Sequence, residues 1–228
     1  MPDLLSVNTV FFTVLGYPMS YLEFFGTLFN LACVILVIRK NIWTWPVGIV
    51  GVVLFGILFY QIQLYSDLVE QVYYFITGFY GWVLWSRIKN KNILGIKRST
   101  STETLWTIGI IVVGTAVLGY LMSNIHVWFA DIFPEPASFP YVDAGTTVMS
   151  FAAQFLMAHK RLENWWLWIA VDVVAIVLYA VKGVMFVSLL YAIFLVLATN
   201  GYFVWRKELG HAGKHTKRIV PGKLRASS

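Results

Sequence analysis

The sequence predicts an all-α integral membrane protein. It has seven transmembrane helices, arranged as two parallel three-helix repeats joined by a linker helix (3+1+3). Three observations carry that expectation. First, the 228 residues are 59% hydrophobic and 12% charged, with a mean hydropathy of +0.72. An average soluble domain carries about 25% charged residues. Second, seven apolar stretches follow one another, each near the roughly 20 residues that span a bilayer. They lie at about 18–38, 43–62, 66–86, 105–125, 141–159, 164–183 and 186–206. Third, the first three stretches resemble the last three in order and motif.

Charge gives the stretches a direction. All but one of the 17 Lys and Arg fall in alternate loops or the tail: Arg39 and Lys40, then Arg87 to Arg98, then Lys160 and Arg161, then Arg206 onward. The other side has Lys182 with Asp67, Asp131 and Glu135. Positive loops stay in the cytoplasm, so the N-terminus is expected outside and the C-terminus inside. Residues 1–17 then form an N-terminal external segment without the basic start of a cleavable signal. Residues 18–86 form the first repeat, and 87–140 a cytoplasmic loop, the linker helix and an outer loop. Residues 141–206 form the second repeat and 207–228 a basic cytoplasmic tail, expected to be disordered. This placement explains the net charge of +6 through membrane topology, and no nucleic-acid partner is expected.

The repeat is visible in motifs. "EFFGTLFNLACVILVIRKNIWTW" and "TTVMSFAAQFLMAHKRLENWWLW" both run through a helix and a basic pair to Trp-x-Trp, at an offset of 123 residues. "YGWVLWSR" and "NGYFVWRK" match at 120, which aligns Trp85 with Trp205. An odd number of crossings per repeat needs one additional helix to restore orientation, and "TLWTIGIIVVGTAVLGYLMSN" supplies it. Parallel repeats about an axis normal to the membrane are a transporter architecture, shared with the SWEETs, whose ligand sites lie between the halves.

Polar residues recur on single helical faces. The third helix carries Asp67, Gln71, Tyr74, Gly78, Trp82 and Trp85. The fifth carries Asp143, Thr147, Ser150 and Gln154, the first Glu23, Thr27 and Asn30, and the seventh Tyr191, Phe194, Ala198, Tyr202 and Trp205. Steps of three and four put each set on one face, turned away from lipid. Such residues either line a pathway or tie helices together. For Gln71 and Gln154 the two readings stand level. Asp143 reads as a helix cap, as do Glu163 and Asn164. Trp43, Trp106, Trp128 and Trp165 read as interfacial anchors.

Asp172 and Lys182 are ionisable groups in the sixth stretch. They lie ten residues apart, about 15 Å along a helix, so they cannot pair directly, and Tyr179 lies near both. Lys182 can also snorkel to the outer surface. The central cavity is expected to draw on Asp172 and Lys182, lined by Gln71, Tyr74, Gln154, Tyr179 and Tyr191.

Several chemistries are excluded. The sequence has no G-x-x-x-x-G-K-[ST], G-x-S-x-G, H-E-x-x-H or C-x-x-C motif. The single Cys33 gives no disulfide within the chain, and His126, His159, His211 and His215 are scattered over loops and tail. No catalytic residue, metal or cofactor is expected.

Four segments together resemble one family: "NIWTWPVGIVGVVLFGILFYQ", "QVYYFITGFYGWVLW", "PYVDAGTTVMSFAAQFLMAHKRLENWWLWIAVDV" and "KGVMFVSLLYAIFLVLATNGYFVW". Trp45-Pro46, the W-x-x-W of Trp82 and Trp85, Gln154, Glu163-Asn164-Trp165, Asp172 and Lys182 occur there in order. Over about residues 18–207 the chain is similar to the PnuC family of bacterial nicotinamide riboside transporters. The resemblance implies facilitated diffusion of a vitamin precursor across the inner membrane, with a cytoplasmic kinase that phosphorylates and traps it. Relatives carry thiamine or other vitamins. The implied binding residues add Trp45 and Asn200 to the set above, with Trp82 and Trp85 as gate or packing. Asn200 departs from the small apolar residue many members carry there. Expected partners are the small-molecule vitamin, the lipid bilayer and, as a homo-oligomer, further copies of the chain.

A seven-helix retinal photoreceptor is the alternative from another class, with a Schiff base on Lys182 and Asp172 as counter-ion. It places the Lys at the end of helix six and leaves the repeat unexplained.

Overall fold

The computed structural model describes residues 4–14, 16–62, 65–87, 95–129, 136, 139–181 and 185–218. It contains the seven expected helices: α1 (Tyr21–Ile38), α2 (Thr44–Gln61), α3 (Tyr65–Arg87), α4 (Ser101–Trp128), α5 (Pro140–Ala158), α6 (Asn164–Val181) and α7 (Met185–Arg218). Five of them are long and apolar enough to cross a membrane: α1, α2, α4, α6 and residues 187–211 of α7. The polar stripes make α3 and α5 less apolar. In a bilayer these two are sustained by turning their stripes toward protein. Lys182, most of the 126–140 loop and the tail past Arg218 lie outside the described residues. Up to Arg218 the tail continues α7 as helix.

The sequence offers local reasons for the helix ends. Ser20 and Glu23 form a capping box at α1, and Thr100 and Glu103 form another at α4. These satisfy backbone donors that the first turn leaves without partners. Pro140 sits in the first turn of α5, where its missing N–H costs nothing.

A hairpin precedes the bundle and adds to the all-α expectation. Strands β1 (Val10–Val14) and β2 (Tyr17–Ser20) pair antiparallel around Gly16 at φ +84°, a conformation glycine adopts at little cost. Phe11 packs on Tyr21 and Phe24, and Tyr17 donates to Glu23. Gln61 at the end of α2 accepts from the Val7 amide and donates to the Leu5 carbonyl, at 2.9 and 2.5 Å. The N-terminal segment thus lies across the ends of α1 and α2.

α2 packs on α1 and α3, and α6 on α5 and α7; α3 also meets α5, and α1 meets α7. α4 packs against α5. Local geometry recurs at an offset of 120 along the whole comparison. Lys40 and Lys160 have φ of 54° and 52° and close the α1–α2 and α5–α6 turns. Each turn then bonds alike, Asn41 N to Leu36 O and Arg161 N to Leu156 O, both at 2.9 Å. Trp45 meets Trp85 edge-on at 5.3 Å and 89°, and Trp165 meets Trp205 at 5.4 Å and 88°. The offset of 123 expected for the first motif is therefore corrected: Trp45 corresponds to Trp165, not to Trp168. The two Trp-x-Trp motifs match by letter, but the ring that fills the helix contact is the first Trp of α6.

These tryptophans anchor a hydrophobic core at the basic end of the bundle, with Val37, Ile38, Met157, Ala158, Leu162 and Tyr202. Trp165 is 2% exposed, so its assignment to the interfacial belt is also corrected. Trp43, Trp106 and Trp128 are exposed, as that assignment requires. The 95–99 segment straps onto the same end. Lys97 pairs with the α5–α6 turn through Lys97 N to Lys160 O and Leu162 N to Lys97 O, and Glu163 accepts from the Ser99 amide at 2.8 Å. The Glu163 side chain therefore ties this strap and does not cap α6.

Candidate functional site

A cavity of about 570 Å³ lies between the helices, lined from α1, α2, α3, α5, α6, α7 and the hairpin. It runs from the tryptophan core at the basic end to Tyr17, Ile62 and Asp67 at the other. Helical periodicity builds each wall. α1 offers Glu23, Thr27 and Asn30, α3 offers Asp67, Gln71, Tyr74 and Gly78, α5 offers Ser150 and Gln154, and α7 offers Tyr191, Phe194 and Ala198. On α3, α5 and α7 these are parts of the stripes expected from the sequence; Trp85, Tyr202 and Trp205 lie in the core instead.

Of the residues expected at the site, Trp45, Gln71, Tyr74, Gln154, Asp172, Tyr179 and Tyr191 line this cavity. Lys182 is outside the described residues. Asn200 is exposed on α7 and away from the cavity. It lies two residues past the lining Ala198, about 200° round the helix. Trp82 is 38% exposed and stacks on Phe79. The inward face of α3 continues through Gly81 instead, where the Trp45 ring packs. Trp85 lies in the core and donates from Nε1 to the Ala158 carbonyl at 2.9 Å.

The sixth helix, expected to contribute Asp172 and Tyr179, adds Trp165 and Trp168 to the same wall. Trp165, Trp168, Asp172 and Tyr179 recur at three-, four- and seven-residue steps, all lining the cavity. Periodicity could have found the two tryptophans, but the surrounding apolar residues hid the face.

The polar groups differ in how they are satisfied. Asn30 donates to Gly26 O at 3.0 Å, a bond within its own helix. Gln71 makes one long contact, 3.5 Å, to Asp67 O. Gln154 has no hydrogen bond among the described residues. Trp45 and Trp165 are 3% and 2% exposed, and among the described residues both indole N–H groups lack an acceptor. A buried donor without an acceptor is costly, so this floor suits a ligand or water that accepts. Aromatic faces are close by: Tyr179 and Tyr191 stack at 5.5 Å with planes 12° apart.

A second cavity of about 440 Å³ adjoins the first. Leu118, Met122 and Ile125 of α4 form one side, with Asp67, Glu70, Asp143 and Thr147 opposite. Thr147 donates to Glu70. Tyr179 and Tyr191 line both cavities.

The basic end is closed by bonds between the halves. Trp85 Nε1 reaches Ala158 O, and Trp205 Nε1 reaches Ile38 O at 3.2 Å. Lys40 pairs with Glu208, and Lys160 sits 4.3 Å above the Trp85 ring centroid. Burial, and Lys40 nearby, hold the Lys160 ammonium below its ordinary range.

Comparison with known proteins places this architecture. The family described as "Nicotinamide mononucleotide transporter" matches residues 20–207. The chain belongs to that family. It is 33% identical over 207 residues to the nicotinamide riboside transporter PnuC of Escherichia coli strain K12, covering 83% of this chain and 87% of that one. It is 27% identical to the riboflavin/roseoflavin transporter RibM of Streptomyces davaonensis, covering 87% and 91%. A solved structure, the vitamin B3 transporter PnuC, matches with a TM-score of 0.65 at 25% identity, covering 84% of this chain and 83% of that one. The protein is thus a multi-pass membrane protein of a transporter family. Membership in the nicotinamide mononucleotide transporter family favours a transporter over the photoreceptor reading.

Proposed function

We propose that this protein carries nicotinamide riboside across the bacterial inner membrane by facilitated diffusion. The observation that supports this most is the central cavity. It offers aromatic faces for a flat ring, amides for a carboxamide and hydroxyls, and among the described residues no Lys, Arg or His in its lining. A pyridinium ring gains about 0.5–2 kcal/mol from each aromatic face it meets.

In this reading the helices form two parallel repeats about an axis along the membrane normal, and substrate passes between them by alternating access. The geometry that recurs at an offset of 120 supports the repeat. The basic end faces the cytoplasm, with the N-terminus outside. The tryptophan core then forms the inner gate, closed while the cavity reaches toward the outer ends. A cytoplasmic kinase phosphorylates the arriving riboside, and the added charge keeps it inside.

Titration of the purified protein with nicotinamide riboside, thiamine and riboflavin tests the substrate. Saturable binding of the riboside, tightest of the three, is expected. Gln154→Leu and Tyr191→Phe should each weaken it by about 1–3 kcal/mol while thermal unfolding stays near wild type. Normal binding by both would reassign these polar groups to helix packing.

A further inference from the structure

Asp172 carries an inference beyond the general transporter reading, and rests on that reading. It is 4% exposed, at mid-helix on α6, with its side chain on the cavity wall. Among the described residues it makes no hydrogen bond and no ion pair. The other charged groups of the lining are Glu23 on α1 and Asp67 and Glu70 on α3, all acidic. Tyr17, Tyr74, Tyr179 and Tyr191 are the phenols, and Cys33 the thiol. Lys182 lies outside the described residues. The matching position in the first half, at offset 120, is the apolar Val52, so Asp172 has no carboxylate counterpart there.

An unpaired carboxylate in a membrane interior is expensive and points to a ligand that completes it. We propose that Asp172 is the charge selector of the cavity: it restricts the ligand to flat organic cations and excludes neutral molecules of similar shape. The ligands named for two relatives differ in this respect. Nicotinamide riboside carries a pyridinium cation, whereas riboflavin is neutral. The cavity has ring-binding faces for either, and the unpaired carboxylate decides for the first. A carrier that moves a cation with no compensating ion is electrogenic, so an inside-negative potential should favour uptake.

The experiment measures binding heats for nicotinamide riboside, thiamine, riboflavin and the 1,4-dihydro form of the riboside. The dihydro form keeps the ribose and carboxamide but loses the ring charge. Wild type should bind the cationic riboside about 10- to 100-fold tighter than the dihydro form, the range of a charge attraction over several ångströms at an effective dielectric of about 20. Asp172→Asn should bring that ratio close to one, and Asp172→Glu should retain a preference for the cation. Equal binding of both forms by wild type, or an unchanged ratio in Asp172→Asn, overturns the selector and leaves the transporter reading standing. If none of the four ligands binds, the vitamin reading falls and the selector with it.

If Asp172→Asn does not fold, proteoliposomes of wild type under a potassium diffusion potential give the second readout. The riboside should accumulate about 50-fold per 100 mV inside-negative, the equivalent of about 2.3 kcal/mol per charge. Accumulation indifferent to voltage overturns the proposal.

Discussion

Gly81 and Gly201 leave no room for a methyl group. A Cβ at Gly81 would meet the Trp45 ring at 2.2 Å, and one at Gly201 would meet Trp165 at 2.4 Å. Both atoms struck belong to buried indoles that pack edge-on against Trp85 and Trp205, so neither can swing away freely. Gly81→Ala and Gly201→Ala should each destabilise the protein by about 1–3 kcal/mol or more; thermal unfolding at wild-type temperature for either would refute this packing. Tyr17 offers a test by pH. Burial, then its hydrogen bond to Glu23 and that carboxylate's charge, push its phenol up to about 12. The folded state thus prefers the neutral phenol. Its contribution is complete below the ordinary value near 10 and lost as pH rises toward 12. The difference in tyrosinate absorbance between wild type and Tyr17→Phe should report a phenol that titrates late. Single residues were the least legible part of the sequence. Trp165 looked like an interfacial anchor because it stands at a helix end, where tryptophans often meet the headgroups, and Trp82 looked inward because it falls on the spacing of the polar stripe of α3.

Helices were more legible than the segments that fasten them. All seven appear near their expected bounds, because apolar runs and three- and four-residue steps report a physical requirement of the bilayer. The same steps picked out the cavity walls on α1, α3, α5 and α7. The hairpin was not legible: "VFFTV" and "YPMS" are short and flank a single glycine, with no alternation to mark a half-buried strand. The 95–99 strap was not legible either, since its partners lie over sixty residues away and its bonds are mainly backbone. Its hold can be measured. Glu163 accepts from the Ser99 amide, and Arg161 donates to Arg98 O at 3.0 Å and to Glu103 at 2.5 Å. Glu163→Ala should cost about 1–2 kcal/mol in thermal stability and speed amide exchange at residues 97–99. Exchange unchanged in that variant would mean that the backbone pairing with Lys160 and Leu162 suffices.

At the scale of the whole molecule, two halves meet across one cavity and are latched at the basic end by indole bonds that cross from each half to the other. The orientation we propose rests on charge and can be read by labelling. The natural Cys33 lines the cavity, so labelling is read in a Cys33→Ala background. Lys91→Cys should then react only from the cytoplasm and Glu135→Cys only from outside; the reverse pattern inverts the topology. Direction of transport is a separate matter. The sequence contains no phosphate-cradling loop of the G-x-x-x-x-G-K-[ST] kind, and the cavity is closed at one end by packing, hydrogen bonds and an ion pair. An alternating carrier built this way lowers a barrier without moving an equilibrium. In proteoliposomes with no membrane potential and equal pH on both sides, internal nicotinamide riboside should rise to the external concentration and stop. With a riboside kinase and ATP enclosed, total label inside should climb past that level, all the excess being phosphorylated. Free riboside above the external concentration under these conditions would require a coupled ion, and facilitated diffusion would have to be abandoned.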